Sequence, residues 1–263
     1  MTGLLTSAPM RDLLVRILGE FGAAVRLTGQ TIARGVRPPY EFGLWMDQAH
    51  ALGVRSLTIT NVTLLFTGMV LAIQTAYSLG AYGGKPFVGD IVALSVVREL
   101  GPVLTALMVA GRVGAGITAE LGSMAVTEQV DALRALAADP VRKLVVPRVG
   151  ALVLVVPLLT ILAIVAAIFG GLLMAVFQVG QSRSFYMAHT LGALTRGDIA
   201  SGIGKTFFFG LAIGIIACFN GLRATGGADG VGKATTNTVV AASIAVIVSD
   251  FFLTQIFLLF QGP

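Results

Sequence analysis

Apolar runs alternate with short polar intervals along this chain, and five of the runs, at about 57–79, 91–121, 149–177, 202–222 and 239–260, are long enough to cross a membrane. A helix rises about 1.5 Å per residue, so spanning the hydrocarbon takes roughly twenty mostly apolar residues. The first run is unusually polar, with Thr58, Thr60, Asn61, Thr63, Thr67, Gln74 and Thr75 along it. Lipid cannot satisfy such groups, so that helix is expected to face protein or a cavity. In the second run, Gly111–Ala115–Ala119 and Ala110–Gly114–Thr118 form small-residue stripes that let another helix approach, and Gly101-Pro102 marks a tilt or break. Pro157 is expected to bend the third run.

The intervals have their own patterns. Within residues 1–53, Leu13, Leu14, Ile17, Leu18, Phe21, Val25 and Leu27 recur at helical spacing with Arg11, Arg16 and Arg26 between them. This predicts an amphipathic helix lying in the membrane interface, broken at Pro38-Pro39, with Tyr40, Phe42 and Trp45 at headgroup level. Residues 126–138 form a short two-faced helix. Val126, Val130, Leu133 and Ala137 lie on one side, Thr127 is its expected N-cap, and Asp139-Pro140 stops it. Residues 80–90 read as a turn, 178–200 as a polar extramembrane segment, and 223–236 as a glycine-rich loop.

Composition narrows the class. Of 263 residues, 56% are hydrophobic and 12% charged, against about a quarter charged in soluble domains, and mean hydropathy is +0.89. The 33 glycines are dispersed through apolar runs, as close helix packing in lipid favours. The net charge of +5 comes from basic residues beside apolar segments, which points to headgroups and membrane orientation, with no nucleic-acid partner. Residues from Arg11 to Arg55, with Arg134, Arg142, Lys143, Arg148, Arg223 and Lys233, fall on one side of the membrane. Only Lys85, Arg183 and Arg196 fall on the other. The positive-inside rule then gives N-in, C-out, and places the 126–138 helix in the cytoplasm. The start carries no continuous apolar core of a cleavable signal, and the closing Leu259-Phe260-Gln261-Gly262-Pro263 resembles part of a protease-site tag.

Nucleotide and metal chemistry find no footing. Gly227 to Lys233 matches the first positions of a P-loop, but Ala234 stands where Ser or Thr must hold magnesium. Ser201 to Thr206 has the Gly-Lys-Thr end, but Ile199 occupies the first glycine's place. His50, His189 and the single Cys218 are too scattered for a metal site. The ionisable residues within apolar runs are the stronger signal: Arg98, Glu99, Arg112, Glu120, Lys205 and Asp250. Each costs about 2.5–3.5 kcal/mol on insertion scales, so such residues pair or line a wet path. Lys205 and Asp250 reach similar depth on antiparallel neighbours and are expected to pair, while Arg98 and Glu99, being adjacent, must face different directions.

The stretch RELGPVLTALMVAGRVGAGITAELG, followed by VTEQVDAL and DPVRKLVVPRV, resembles the signature region of MlaE/YrbE-type permeases, the membrane subunits of lipid-transporting ABC systems. The resemblance implies a homodimer in the bacterial inner membrane moving phospholipids to or from a periplasmic MCE-domain protein. It also implies a separate cytoplasmic ABC ATPase that holds ATP and magnesium, with room for a small accessory protein. Arg98 and Glu99 would lie by a lipid cavity with Thr67, Gln74 and Tyr77. The two-sided pattern of 126–138 on the basic, cytoplasmic side makes Thr127, Glu128, Gln129, Asp131, Leu133 and Arg134 the expected coupling helix that docks on that ATPase.

The expected architecture is an all-α integral membrane protein, with the interfacial helix in 1–53 and a five-span permease in 54–263. Two other transporter readings stand beside it: a proton-coupled carrier using Lys205, Asp250 and Glu99, and a permease for a sterol or fatty acid. A non-transporting scaffold is a further possibility, but it leaves the polar first span unexplained.

Overall fold

The computed structural model describes residues 8–38 and 42–261, and every regular element among them is helical. The helices are α1 (Ala8–Gly35), α2 (Phe42–Gly80), α3 (Lys85–Val126), α4 (Gln129–Ala135), α5 (Val141–Phe177), α6 (Arg183–Ala193), α7 (Arg196–Leu222) and α8 (Gly227–Gln261). Five of them, α2, α3, α5, α7 and α8, are long and apolar enough to cross a membrane, as the hydropathy pattern predicts. Alternation of the spans puts α1, α4 and the α7–α8 turn at one end of the bundle, and the α2–α3 turn and α6 at the other. Pro39, Tyr40 and the final Gly262-Pro263 lie outside the described residues, as do the side chains of Arg11, Leu13, Leu14, Arg16, Ile17 and Phe42.

Several helices begin earlier than the sequence pattern predicts. The break after α1 falls at 36–38, and α2 then runs unbroken through position 53. The glycine-rich stretch read as a loop to 236 is helical from Gly227. Gly226 and Gly227 take positive φ at the turn, and Asp229 and Lys233 pair at 2.6 Å one turn apart. The 178–200 segment holds α6 and a capping box that starts α7, in which Thr195 and Asp198 satisfy each other's backbone N–H. Tyr186 of α6 is fully buried against α5 and donates to the carbonyl of Ile168 at 3.5 Å. Burial pushes its hydroxyl up to about 12, so it stays a neutral donor.

Backbone approach sets the packing of the spans. α2 and α5 make the most extensive contact, crossing where Gly68 lies on the carbonyl of Ala167 and Gly170 on that of Leu65. α7 crosses α3 the same way, with Gly202 on the carbonyl of Val97. Hydroxyl bonds add to this: Thr118 of α3 donates to Thr238 of α8 at 2.9 Å, and Asn220 of α7 donates to the same oxygen at 2.9 Å. α8 buries one narrow face and leaves Ile244, Val248, Phe251 and Phe252 exposed.

α3 does not break at Gly101-Pro102. It widens instead into a π-type turn over Val96–Leu100, and again over Ala110–Gly114. Proline has no N–H and its ring crowds the carbonyl four residues back, which here belongs to Arg98, so a widened turn before it relieves the clash.

Gly68→Ala is therefore expected to lower the detergent-solubilised melting temperature by several degrees, because the added carbon meets backbone that cannot move aside. Gly29→Ala in α1 meets open space and should leave it unchanged or slightly raised. Equal effects of the two would contradict the close approach.

Candidate functional site

The wide turn of α3 sends consecutive side chains to different neighbours. Arg98 reaches the start of α7, where its Nε and Nη2 each lie 2.6 Å from Asp198 Oδ1. Asp198 is itself buried and capped by Thr195, so Arg98 is tied to the first turn of α7. Glu99 points instead to Lys205, two turns further along α7, at 2.8 Å. The Lys205 side chain is 2% exposed, and its ammonium shares its three N–H groups among Glu99, Asp250 of α8 at 3.1 Å, Thr254 at 2.6 Å and the Arg98 carbonyl at 3.2 Å. That carbonyl is the one to which Pro102 offers no N–H, so Lys205 serves a backbone acceptor as well as two carboxylates. The structure thus brings Lys205 and Asp250 together and adds Glu99 as a third member, which adjacency to Arg98 alone did not reveal.

On its other side the same turn faces a groove. Leu100 lines a cleft of about 460 Å³ between α3 and α2, with Thr63, Phe66, Thr67, Val70, Leu71 and Gln74 as the remaining wall. Thr67 and Gln74 are thus in one amphiphilic cleft. Arg98, Glu99 and Tyr77 are not among its lining residues: the first two face α7 and α8, and Tyr77 opens onto a separate hollow of about 730 Å³ with Tyr82, Lys85 and Gln178. The reason is angular, since ten helical residues separate Thr67 from Tyr77 and leave them about 80° apart around α2.

At the opposite end from α6, α4 is shorter than predicted. Thr127 ends α3 and donates to the Ser123 carbonyl at 2.7 Å, and Glu128, in the left-handed region at φ 61, takes the N-cap position. Asp131 and Arg134 pair at 2.7 Å on the exposed face, with Gln129 donating to Thr127 at 3.1 Å. Leu133 packs against the core beside the buried Val130 and is itself half-buried. The outward apolar residue is Leu136, 79% exposed just past the helix end, where the chain leaves helical geometry. Glu120 and Arg112 do not pair with each other: Glu120 binds Arg148 of α5 at 2.6 Å, and Arg112 donates to the Arg55 carbonyl of α2.

This geometry of polar-walled spans and an exposed inter-span helix coincides with a match of residues 45–256 to the family described as Permease MlaE. The chain belongs to the MlaE permease family. A probable ABC transporter permease protein of Rickettsia bellii is 41% identical over 243 residues, covering 92% of this chain and 94% of its own. The intermembrane phospholipid transport system permease protein MlaE of Haemophilus influenzae is 44% identical over 216 residues, covering 82% and 83%. The chloroplastic protein TRIGALACTOSYLDIACYLGLYCEROL 1 of Arabidopsis thaliana is 36% identical over 236 residues, 90% of this chain and 67% of its own. The molecule is an ABC transporter permease of the MlaE family and a multi-pass membrane protein.

In this MlaE-family permease, Lys205→Met is expected to strand two carboxylates, and breaking a buried pair costs about 3–5 kcal/mol. Membrane levels of the single variant should collapse. The double Lys205→Met/Asp250→Asn still leaves Glu99 unpaired, so recovery should need Glu99→Gln as well. Full expression of Lys205→Met alone would contradict the shared hub.

Proposed function

We propose that this permease moves phospholipids between the inner membrane and a periplasmic MCE-domain partner, driven by ATP hydrolysis on a separate subunit. The observation that carries the reading is the α2–α3 groove. Hydroxyl and amide groups of Thr63, Thr67 and Gln74 stand beside Phe66, Val70 and Leu71, which suits a molecule with a polar head and apolar chains. The Haemophilus relative, named for intermembrane phospholipid transport, supports the substrate class. α2 and α8 leave apolar flanks exposed in one copy, and a second copy closing the groove accounts for both. The excess of basic residues at the α4 end favours N-in, C-out and puts α4 in the cytoplasm, where Glu128, Asp131, Arg134 and Leu136 face an ATPase that holds ATP and magnesium. α1 then lies along the inner interface with Leu18, Phe21 and Val25 toward lipid. The buried Lys205, with the partly exposed Glu99 and Asp250 beside it, favours a second reading, a proton-driven carrier, which would transport in vesicles without any ATPase.

Two outcomes follow. Filling the groove with Thr67→Trp or Gln74→Trp should cut ATP-driven phospholipid transfer in reconstituted vesicles by about tenfold or more, equivalent to about 1.4 kcal/mol. ATP hydrolysis should persist, and unchanged transfer would exclude the groove as the lipid path. Separately, Glu128→Lys with Asp131→Lys, or Leu136→Asp alone, should reduce copurification of the ATPase while leaving the permease folded. An ATPase that stays bound and active with both changes would remove α4 from the interface.

A further inference from the structure

α1 is fastened to the corner between α4 and α5 at its last two turns. Arg34 Nε lies 2.7 Å from Asp139 Oδ2, and Arg142 Nη2 donates to the Arg37 carbonyl at 3.1 Å. Gly35 packs toward Val146, Thr31 is buried, and Leu27 rests on the main core. Asp139 has a second role, because its Oδ1 accepts the Val141 N–H at 3.0 Å and so caps the first turn of α5. One carboxylate thus joins the exit from α4, the start of α5 and the end of α1.

α4 itself is held between two backbone corners. Glu128 at φ 61 and Ala137 at φ 57 both occupy the left-handed region, which costs an L-residue roughly 1–2 kcal/mol and persists only where surroundings dictate it. Behind these corners, Glu120–Arg148 ties the end of α3 to the start of α5. A displacement of α4 can therefore pass through Arg148 into the spans, and through Asp139 and Arg34 into α1. α1 is a lever of roughly 40 Å whose far half exposes Val15, Leu18 and Phe21.

We propose that Arg34 is a positioning residue that makes α1 an output arm of α4, so that ATPase-driven motion moves α1 together with the spans. This rests on the reading of the chain as the membrane subunit of an ATP-driven lipid transporter. Arg34 and Asp139 are each about one-third exposed, and such pairs contribute only about 0–1 kcal/mol to stability. Their removal should therefore show in transmission and leave folding intact.

The test uses the permease assembled with its copurifying ATPase in phospholipid vesicles, with ATP hydrolysis and lipid transfer both measured per assembled complex. Arg34→Ala and Asp139→Asn, the latter keeping an oxygen for the Val141 cap, should each lower lipid moved per ATP about fivefold, the lower range of site-to-site couplings. Hydrolysis should stay within about twofold, as the small stability term implies. The double variant should be no worse than either single, since both remove one interaction, and Arg34→Lys should keep most of the transfer. Unchanged lipid per ATP in Arg34→Ala would overturn the strut alone. Hydrolysis and transfer falling in equal proportion would also overturn it, because that is a docking defect. A wild-type assembly that hydrolyses ATP without moving lipid would overturn the transport reading together with the strut.

Discussion

The ammonium of Lys205 is the interaction on which the rest of this bundle depends. In hydrocarbon every backbone polar group and every charge must find its partner inside the protein, because no water is there to supply one. Pro102 removes a donor from α3 and crowds the Arg98 carbonyl. The chain answers with a wide turn and with a lysine that bonds that carbonyl together with Glu99, Asp250 and Thr254. Three spans are thereby fixed at one depth. The wide turn also rotates Leu100 away from its charged neighbours and into the α2–α3 groove, so the ion hub and the groove wall are two faces of one turn.

Close backbone contact determines which surfaces remain available. α2 meets α5 at its own Gly68 and at Gly170 of α5, which leaves the Thr63–Thr67–Gln74 side turned toward α3 and the outside. α8 joins the bundle through the hub at one end and through Thr238 at the other, with most of its surface uncovered. Those two uncovered flanks are where the proposed second copy would gain most, since each offers apolar side chains that a single copy leaves exposed.

Long-range order in the hydropathy made the five spans readable without coordinates, and a depth comparison between antiparallel neighbours brought Lys205 and Asp250 together. Helix ends were less legible. Gly227-Ala-Asp-Gly has loop composition, yet Asp229 and Lys233 pair across its first turn and the helix starts there. Thr195 and Asp198 carried a capping signal in plain view, with Asp in the place usually held by Glu. Glu99 was legible only as a member of a proton relay with Lys205 and Asp250, with no sign of direct pairing, and Arg34 as a partner of Asp139 had no signature at all. Which of several surface or intramembrane charges meet depends on helix rotation, and periodicity fixes rotation only to within a face. Leu136 was hidden for a similar reason: by spacing it belongs with Leu133, but the helix ends before it and the side chain swings outward.

The proposed function requires a phospholipid to pass along α2 in the groove facing α3. A photoreactive amino acid placed at Thr67, with a second at Phe169 on an exposed flank of α5, tests it directly in vesicles containing labelled phospholipid and the assembled ATPase. Covalent lipid capture at position 67 should change when ATP is added, and capture at position 169 should not. Capture at 67 that is insensitive to ATP, or no greater than at 169, would contradict it.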